Sequence, residues 1–179
     1  MPTCAEGHVS RAGEYCDVCG SPIGTPLSAP HRTTAAPPPV WTAVVGADRK
    51  FYDRVLARGG PDTVAFPEFF PERRITLRGS TALIGRHNRG QGVEPEIDLG
   101  IQPIDRGVST QHAVLRIRDS GLTITDLGST NGTSLNDSDD LLGNGEETPL
   151  ADGDRIHVGA WTTITVVKSE RGDGDRSGR

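Results

Sequence analysis

The sequence predicts an all-β protein, built as a sandwich of two sheets. Short apolar runs recur at close spacing from residue 74 onward, and several of them alternate apolar with polar residues, as half-buried strands do. Glycine, aspartate and asparagine, which favour tight turns, separate these runs. Many short strands joined by such turns are typical of a β-sandwich.

The individual elements follow from local composition. We expect a strand over residues 41–45, which combine a tryptophan with threonine and valines. A short helix is expected over residues 48–57, because Asp48 can cap its N-terminus and because Phe51 and Val55 lie on one side of it. The remaining predicted strands cover residues 74–77, 81–85, 96–99, 113–118, 122–127, 155–158 and 162–168.

Composition divides the chain into four parts. Residues 1–24 contain all three cysteines and end in turn residues, so we expect a small separate unit. Residues 25–39 are rich in proline, alanine and threonine and predict an extended linker. Residues 40–168 form the predicted β domain with an N-terminal extension, and the polar residues 169–179 predict a disordered tail.

Charge and hydropathy argue against two classes of partner. The 179 residues carry a net charge of -5, and their basic residues are scattered, whereas a nucleic-acid surface needs a basic stripe. No stretch approaches the roughly 18 apolar residues of a membrane span, and the first residues lack the features of a signal peptide. We therefore expect a cytoplasmic protein that binds neither nucleic acid nor membranes.

Three separated motifs carry the functional prediction. Residues 126–133 (DLGSTNGT) place small hydrogen-bonding groups and two glycines on a turn between apolar strands, a composition that suits an anion. Together with residues 84–86 (IGR) and 109–112 (STQH), they resemble the forkhead-associated (FHA) domain, whose loops bind phosphothreonine peptides. The resemblance spans about residues 74–167, and the long connection over residues 86–109 is similar to that of actinobacterial members, which favours a bacterial protein.

The resemblance implies which residues bind. A phosphothreonine carries nearly two negative charges and three acceptor oxygens, which require a fixed cation and several neutral donors. Arg86 and Ser109 would contact the phosphate, and Thr130 would add a further contact. Asn131 would hold the main chain of the bound peptide. Thr110 stands where many members carry Arg, Lys or Asn, so one charged contact is expected to be missing. The loops would be shaped by Gly85, His112 and Gly132.

The function that follows is a non-catalytic adaptor of serine/threonine kinase signalling, whose partner is a phosphothreonine-containing protein. Thr33 or Thr34 in the linker is a candidate kinase site that the chain's own pocket would then bind, or both are ordinary polar linker residues. A scaffold that keeps the fold without binding phosphate stays open. A regulator in which the cysteine-containing unit is the active part also stays open.

Other interpretations of the motifs are weaker. Ser109, His112 and Asp126 are the residue types of a hydrolase triad, but no nucleophile elbow surrounds Ser109. Residues 128–132 lack the lysine that a P-loop needs. We therefore expect no enzymatic activity. Taken alone, residues 127–133 are also compatible with a hairpin loop that binds no ligand, because the Asn-Gly pair in them strongly favours a turn.

The cysteine-containing unit predicts a structural zinc site. Three thiolates and one imidazole, from Cys4, His8, Cys16 and Cys19, make up a ligand set of tetrahedral structural zinc. The last two cysteines are followed by Gly20 and resemble the knuckle of a zinc ribbon. Four protein ligands would close the site to substrate, so its role would be structural. The alternatives are a solvated loop histidine at position 8 and a disordered, thiol-bearing arm.

We expect elemental analysis of protein purified under reducing conditions to find one zinc ion per chain. A strong chelator should unfold residues 1–24 and leave the β domain folded, because metal binding is the main folding force in so small a unit. A double variant, Cys16→Ser with Cys19→Ser, serves as the metal-free control. Parent protein without stoichiometric metal would contradict the zinc prediction.

Overall fold

The computed structural model describes residues 7–9, 18, 39–59 and 64–169. The chain divides into two units, Met1–Pro37 and Pro38–Arg179, and the fold described below belongs to the second unit. Of the predicted zinc ligands, only His8 is among the described residues. The other predicted sites of the N-terminal region lie outside them, namely Cys4, Cys16, Cys19, Thr33 and Thr34.

Ten strands and one α-helix account for the regular structure of the described residues apart from one turn of 3-10 helix. In chain order they are β1 (Val40–Ala47), α1 (Arg49–Ala57), β2 (Arg73–Thr76), β3 (Thr81–Gly85), β4 (Ile97–Asp98), β5 (Gln111–Arg118), β6 (Gly121–Asp126), β7 (Thr133–Leu135), β8 (Glu147–Leu150), β9 (Arg155–Val158) and β10 (Thr162–Ser169). The part of the chain that the structure describes contains no helix long and apolar enough to cross a membrane.

The strands form two five-stranded sheets, which confirms the predicted all-β sandwich. The first sheet has the order β2-β1-β10-β9-β7 and is antiparallel throughout. The second has the order β4-β3-β5-β6-β8, in which the short β3-β4 pair is parallel. Consecutive strands therefore often lie in different sheets, and the loops between them cross from one layer to the other at the ends of the sandwich.

The core lies between the sheets, and β1 illustrates how a strand buries one of its faces there. In β1 the side chains of Trp41, Ala43 and Val45 are buried, whereas the residues between them are partly exposed. Burial of a large aliphatic side chain contributes about 1.5–3 kcal/mol. Fully buried members of this core from the other strands include Ile84, Leu115, Ile124, Ile156 and Ile164.

Helix α1 forms as predicted from its cap and its apolar side. The carboxylate of Asp48 accepts a hydrogen bond from the Phe51 backbone N–H at 3.1 Å, and Phe51 and Val55 are buried. The Asp48 N–H donates to the carbonyl oxygen of Trp161 at 2.7 Å, which attaches the start of the helix to the turn between β9 and β10. The helix is thus a fixed part of the domain.

Each strand that the sequence predicted is present, with ends shifted by at most one or two residues. Two strands were not predicted, β7 and β8. Both are sheet edges of three or four residues, and Pro149 interrupts the β-forming pattern of β8. The hairpin interpretation of residues 127–133 is wrong, because β6 pairs with β5 and β8 whereas β7 pairs with β9 in the other sheet.

A buried carboxylate joins the two layers at one end of the sandwich. Asp105 is 1% exposed and precedes β5, and it faces the turn between β9 and β10. Its oxygens accept hydrogen bonds from the backbone N–H groups of Ala160, Trp161 and Thr162 at 3.1–3.2 Å. The Thr162 hydroxyl adds a bond of 2.7 Å, and the Gly107 N–H adds one of 2.9 Å. These donors satisfy a charge that burial would otherwise disfavour.

We expect Asp105→Ala to lower the free energy of unfolding by about 3 kcal/mol or more, because several buried N–H groups would lose their acceptor. Urea denaturation followed by tryptophan fluorescence measures the change. Asp119→Ala is the matched control, since Asp119 is exposed in the turn between β5 and β6. Equal stability of the two variants would show that the Asp105 carboxylate does not anchor the fold.

Candidate functional site

Three loops meet at the end of the sandwich that Asp105 organises. The first is the segment that begins at Arg86, directly after β3. The second comprises residues 105–110 and leads into β5; we call it the Asp105 loop. The third comprises residues 127–132 between β6 and β7; we call it the Asn131 loop. Hydrogen bonds join all three, so the predicted site residues, which are far apart in the sequence, lie side by side.

Gly85 allows the close approach of the first two loops. A Cβ atom at this position would lie 2.0 Å from the backbone carbonyl oxygen of Thr110, so no other residue fits without displacing the chain. The pairing of β3 with β5 shifts register here. As a result, the Arg86 N–H donates to the Thr110 carbonyl at 3.2 Å.

Arg86 is a half-buried cation with part of its hydrogen-bonding capacity unused. Its Nε donates to the carbonyl oxygen of Val108 at 2.5 Å, which fixes the guanidinium against the Asp105 loop. Within the described residues, no carboxylate lies close enough to form an ion pair with it. The two terminal nitrogens therefore remain able to bind an anion in a forked geometry.

A hydrogen bond joins Ser109 of the second loop to Thr130 of the third, and both residues carry a hydroxyl group. The Ser109 Oγ accepts a hydrogen bond from the Thr130 backbone N–H at 3.1 Å, which leaves its own hydrogen free to donate. Thr130 is exposed, and Ser109 is half-buried. Thr110 is also half-buried, but its backbone carbonyl is occupied by the contacts with Gly85 and Arg86.

Asn131 connects the Asn131 loop to the Asp105 loop. Its Nδ2 donates to the carbonyl oxygen of Gly107 at 2.8 Å. Its Oδ1 forms no hydrogen bond with the described part of the chain, so it can accept one from a ligand. Gly132 follows with a φ of 78°, in the left-handed region that favours glycine, and a Cβ there would lie 2.7 Å from Leu141 Cδ1.

His112 holds the same two loops together from inside. The side chain is completely buried; Nδ1 accepts from the Ser109 N–H at 3.1 Å, and Nε2 donates to the Gly132 carbonyl at 3.0 Å. Burial lowers the pKa of His112, against the opposing effect of the Gly132 hydrogen bond and of the carboxylates of Asp126 and Asp105. The ring is therefore neutral near pH 7, with its proton on Nε2.

The hydrolase triad that the residue types permitted does not form. His112 contacts the backbone of Ser109 rather than its hydroxyl. The Asp126 carboxylate accepts from the hydroxyls of Ser129 and Thr133 at 2.7 and 2.6 Å, and from the N–H groups of Gly128 and Ser129 at 2.9 Å. Burial by itself would raise the pKa of Asp126, but these hydrogen bonds outweigh it and lower the pKa. Asp126 thus shapes the Asn131 loop.

Sequence reasoning missed the structural role of three aspartates at this end. Asp98, Asp105 and Asp126 each accept a hydrogen bond from the N–H of the glycine two residues later, at 2.8–2.9 Å. Such a turn, closed by an aspartate side chain, is encoded in the pattern Asp-x-Gly. The pattern is visible in the sequence, but it does not by itself identify an aspartate that anchors a loop. Asp119-Ser120-Gly121 has the same pattern and lies in the hairpin turn between β5 and β6.

A further cation that sequence reasoning did not single out lies in the Asp105 loop. Arg106 is exposed, and its side chain forms no hydrogen bond or ion pair with the described residues. It lies between the anchoring Asp105 and the carbonyl of Gly107 that binds Asn131. The Asp105 loop, whose Val108 carbonyl binds Arg86, thus carries a second, exposed arginine.

One cluster in the domain has the composition of a metal site. Oxygen and nitrogen atoms of Asp48, Asp137 and His157 lie within 4.8 Å of one another. However, Arg54 and Arg155 both pair with the Asp137 carboxylate, and His157 uses both ring nitrogens. Because two arginines already neutralise the cluster, we interpret it as the network that attaches α1 to the sheet.

The fold is a β-sandwich, and at one end of it three hydrogen-bonded loops bring together the predicted site residues Arg86, Ser109 and Asn131. Residues 82–159 match the FHA domain family. The chain therefore carries an FHA domain, as its three motifs predicted.

Relatives of known sequence match about half of the chain. An FHA domain-containing protein of Arabidopsis thaliana is 38% identical over 88 residues, which cover 49% of this chain and 20% of that protein. The glycogen accumulation regulator GarA of Mycobacterium tuberculosis is 26% identical over 99 residues, covering 55% of this chain and 57% of GarA. The match thus spans only a fifth to a little over half of these relatives.

Solved structures agree with the fold. The solution structure of the FHA domain of an Arabidopsis thaliana hypothetical protein is 29% identical, with a TM-score of 0.50, and the match covers 78% of this chain and 92% of that domain. The crystal structure of full-length yeast Pml1p is 20% identical, with a TM-score of 0.51, covering 73% of this chain and 83% of Pml1p.

The two buried histidines predict a loss of stability in mild acid. Burial lowers the pKa of both His112 and His157 below the value of about 6.5 that histidine has in an unfolded chain. Between the folded and unfolded pKa values the unfolded state binds more protons, so stability rises with pH there and is fully present above about pH 6.5.

We expect the free energy of unfolding to be the same at pH 7.5 and 8.5 and to fall as the pH decreases from 6.5 to 5.5. Each histidine contributes at most about 1.4 kcal/mol per pH unit in this range. Asp126, with its lowered pKa, contributes a loss only below about pH 4. Urea denaturation at each pH measures the effect, and a stability that rises toward pH 5.5 would contradict it.

Proposed function

We propose that the FHA domain binds phosphothreonine in a partner protein and acts as a non-catalytic adaptor of serine/threonine kinase signalling. The observation that carries this proposal is the state of Arg86. One hydrogen bond to the Val108 carbonyl orients its guanidinium, which forms no ion pair with the described residues. The backbone of Arg86 directly follows β3 and is bonded to Thr110, the residue after Ser109. The family, whose loops bind phosphothreonine peptides, supplies the ligand class.

Each site residue has one bond within the fold and one capacity left for the ligand. Arg86 would bind phosphate oxygens with its terminal nitrogens, and Ser109 would donate its hydroxyl hydrogen. Thr130 would add a second hydroxyl. The Oδ1 of Asn131 would accept from the peptide main chain, as expected from the resemblance. Because the internal bonds fix these groups before binding, little side-chain entropy is lost on binding.

The phosphate should dominate the affinity. A hydrogen bond to a charged group contributes about 1.5–3 kcal/mol, so three of them sum to about 5–9 kcal/mol before association costs are subtracted. Micromolar binding corresponds to about -8 kcal/mol. A peptide with unmodified threonine would keep only the weaker neutral contacts. Thr110 carries no charge and so adds no charged contact to the phosphate. We propose that the positive charge of Arg106 attracts the phosphate in its place.

The same geometry supports an adaptor rather than an enzyme. His112 is neutral and has both nitrogens bonded inside the fold, so it is not placed to accept a proton from a ligand. The proposed location is the cytoplasm, where protein kinases modify such partners. The structural zinc of residues 1–24 remains our proposal on the basis of its ligand set, and binding of a phosphorylated Thr33 or Thr34 remains a prediction.

Arg86→Ala should reduce the affinity for a phosphothreonine peptide at least tenfold, because one charge-assisted bond contributes about 1.5–3 kcal/mol. A peptide chosen from a phosphothreonine library and titrated by calorimetry provides the measurement. Arg86→Lys should recover only part of the loss, since lysine lacks the forked donor.

Arg89→Ala is the matched control, because Arg89 is exposed and lies a few residues further along the same segment. We expect its affinity to equal that of the parent. Thermal unfolding of each variant separates lost binding from lost folding. Equal affinity of the Arg86→Ala variant and the parent would show that Arg86 does not bind the phosphate.

A further inference from the structure

Two asparagines of the chain are directly followed by glycine, a pair of residues that reacts without an enzyme. The two pairs are Asn131-Gly132 and Asn144-Gly145. Asparagine is a thermolabile residue, because the backbone nitrogen of the next residue can attack its side-chain amide. A glycine in the next position carries no Cβ atom that would hinder this approach. By sequence alone, both pairs are therefore candidates for deamidation.

The structure distinguishes the backbone nitrogens of the two glycines. The Gly145 N–H donates to the carbonyl oxygen of Asp126 at 2.9 Å, next to the bridge between Asp126 and Asn144. The Gly132 N–H donates no hydrogen bond to any residue that the structure describes. The attacking nitrogen must give up its proton, and a hydrogen bond to a carbonyl retains that proton and fixes the nitrogen. Gly132 is thus the glycine whose nitrogen is available for the reaction.

The surroundings of Asn131 also give access to water. Asn131 and Gly132 line an open cleft of about 230 Å³, which has room for several water molecules of about 30 Å³ each. One hydrogen bond holds the amide, from Nδ2 to the Gly107 carbonyl oxygen at 2.8 Å. This bond slows the reaction relative to a free peptide, but it restrains the nitrogen that leaves and not the nitrogen that attacks.

We propose that Asn131 is a site of spontaneous deamidation in the folded domain, and that this modification ends the binding of phosphothreonine peptides. The Gly132 nitrogen loses its proton and forms a bond to Cγ of Asn131. The bond from Cγ to Nδ2 breaks, and the nitrogen leaves with that proton as ammonia. One water molecule then opens the cyclic imide at either of its carbonyls, which gives aspartate or isoaspartate.

Both products disturb the groups that form the proposed site. Aspartate lacks the Nδ2 donor, so a carboxylate would face the Gly107 carbonyl oxygen and add a negative charge where the ligand is an anion. Isoaspartate lengthens the main chain by one methylene directly before Gly132. The Gly132 carbonyl accepts from His112, and a Cβ at Gly132 would already lie 2.7 Å from Leu141 Cδ1. The loss of binding rests on the proposed function, whereas the reaction itself does not.

The test of the reaction incubates the full chain in mildly alkaline buffer and follows both asparagines by mass spectrometry. Trypsin leaves them in one peptide, residues 119–155, and fragmentation of this peptide locates the mass gain that deamidation produces. We expect residue 131 to be modified severalfold faster than residue 144 in the folded protein, and both at similar rates in urea. Modification of residue 144 as fast as that of residue 131 in the folded protein would overturn the inference.

Calorimetry with a phosphothreonine peptide tests the consequence for binding. The binding capacity of the incubated protein should fall in proportion to the modification of residue 131. Asn131→Asp should weaken the affinity at least tenfold, because it removes a hydrogen bond and adds a like charge. If this variant does not fold, the incubated parent carries the test.

Asn144→Gln is the matched control, since it removes the second Asn-Gly pair and Asn144 is not one of the proposed site residues. It should lose capacity as fast as the parent. Full capacity in protein that is modified at residue 131 would overturn the inference and leave the proposed function intact. Freshly prepared protein that binds no phosphothreonine peptide would overturn the proposed function and the loss of binding, while the rates at the two asparagines still test the reaction.

Discussion

The buried carboxylate of Asp105 is the interaction on which the functional end of the domain depends. It collects backbone N–H groups from the turn between β9 and β10 and from its own loop, and so fixes a loop that has little regular structure. The carbonyls of Gly107 and Val108 then hold Asn131 and Arg86, respectively. Supporting hydrogen bonds of this kind hold the side chains of a site in one geometry, which a loop without them would not do.

The candidate site divides the capacity of its polar groups between fold and ligand. Both ring nitrogens of His112 form hydrogen bonds that hold two loops together, so neither is available to a ligand. The side chains of Arg86, Ser109 and Asn131 each form one hydrogen bond within the fold and have a further donor or acceptor available for a ligand. This division explains why residues of similar polarity, a few positions apart, have different roles. It also explains why the arrangement suits binding of an anion more than proton transfer, since the buried imidazole is neutral and occupied.

Helix α1 shows how an extension outside the shared domain changes the surface of the site. Its N-cap, Asp48, is bonded to Thr163 and to the carbonyl of Trp161, so the helix is tied to the core rather than appended to it. Phe51 packs against His157 with ring centroids 4.9 Å apart. Phe51 and Val55 of the helix therefore line one cleft together with Thr130 and Asn131 of the Asn131 loop.

The sequence by itself determined the fold class, the helix and most strands, because alternation, caps and turn residues act locally. The three motifs likewise identified Arg86, Ser109 and Asn131 as a candidate site. The edge strands β7 and β8 were not predicted, because three or four residues are too few to show the alternation of apolar and polar residues. In β8, Pro149 also interrupts the β-forming residues. Only the tertiary structure decided that Asp105 is a buried anchor while Asp119, in the same Asp-x-Gly pattern, is an exposed turn residue. The role of each carboxylate depends on which N–H groups the other sheet brings to it, and those groups lie more than fifty positions away for Asp105.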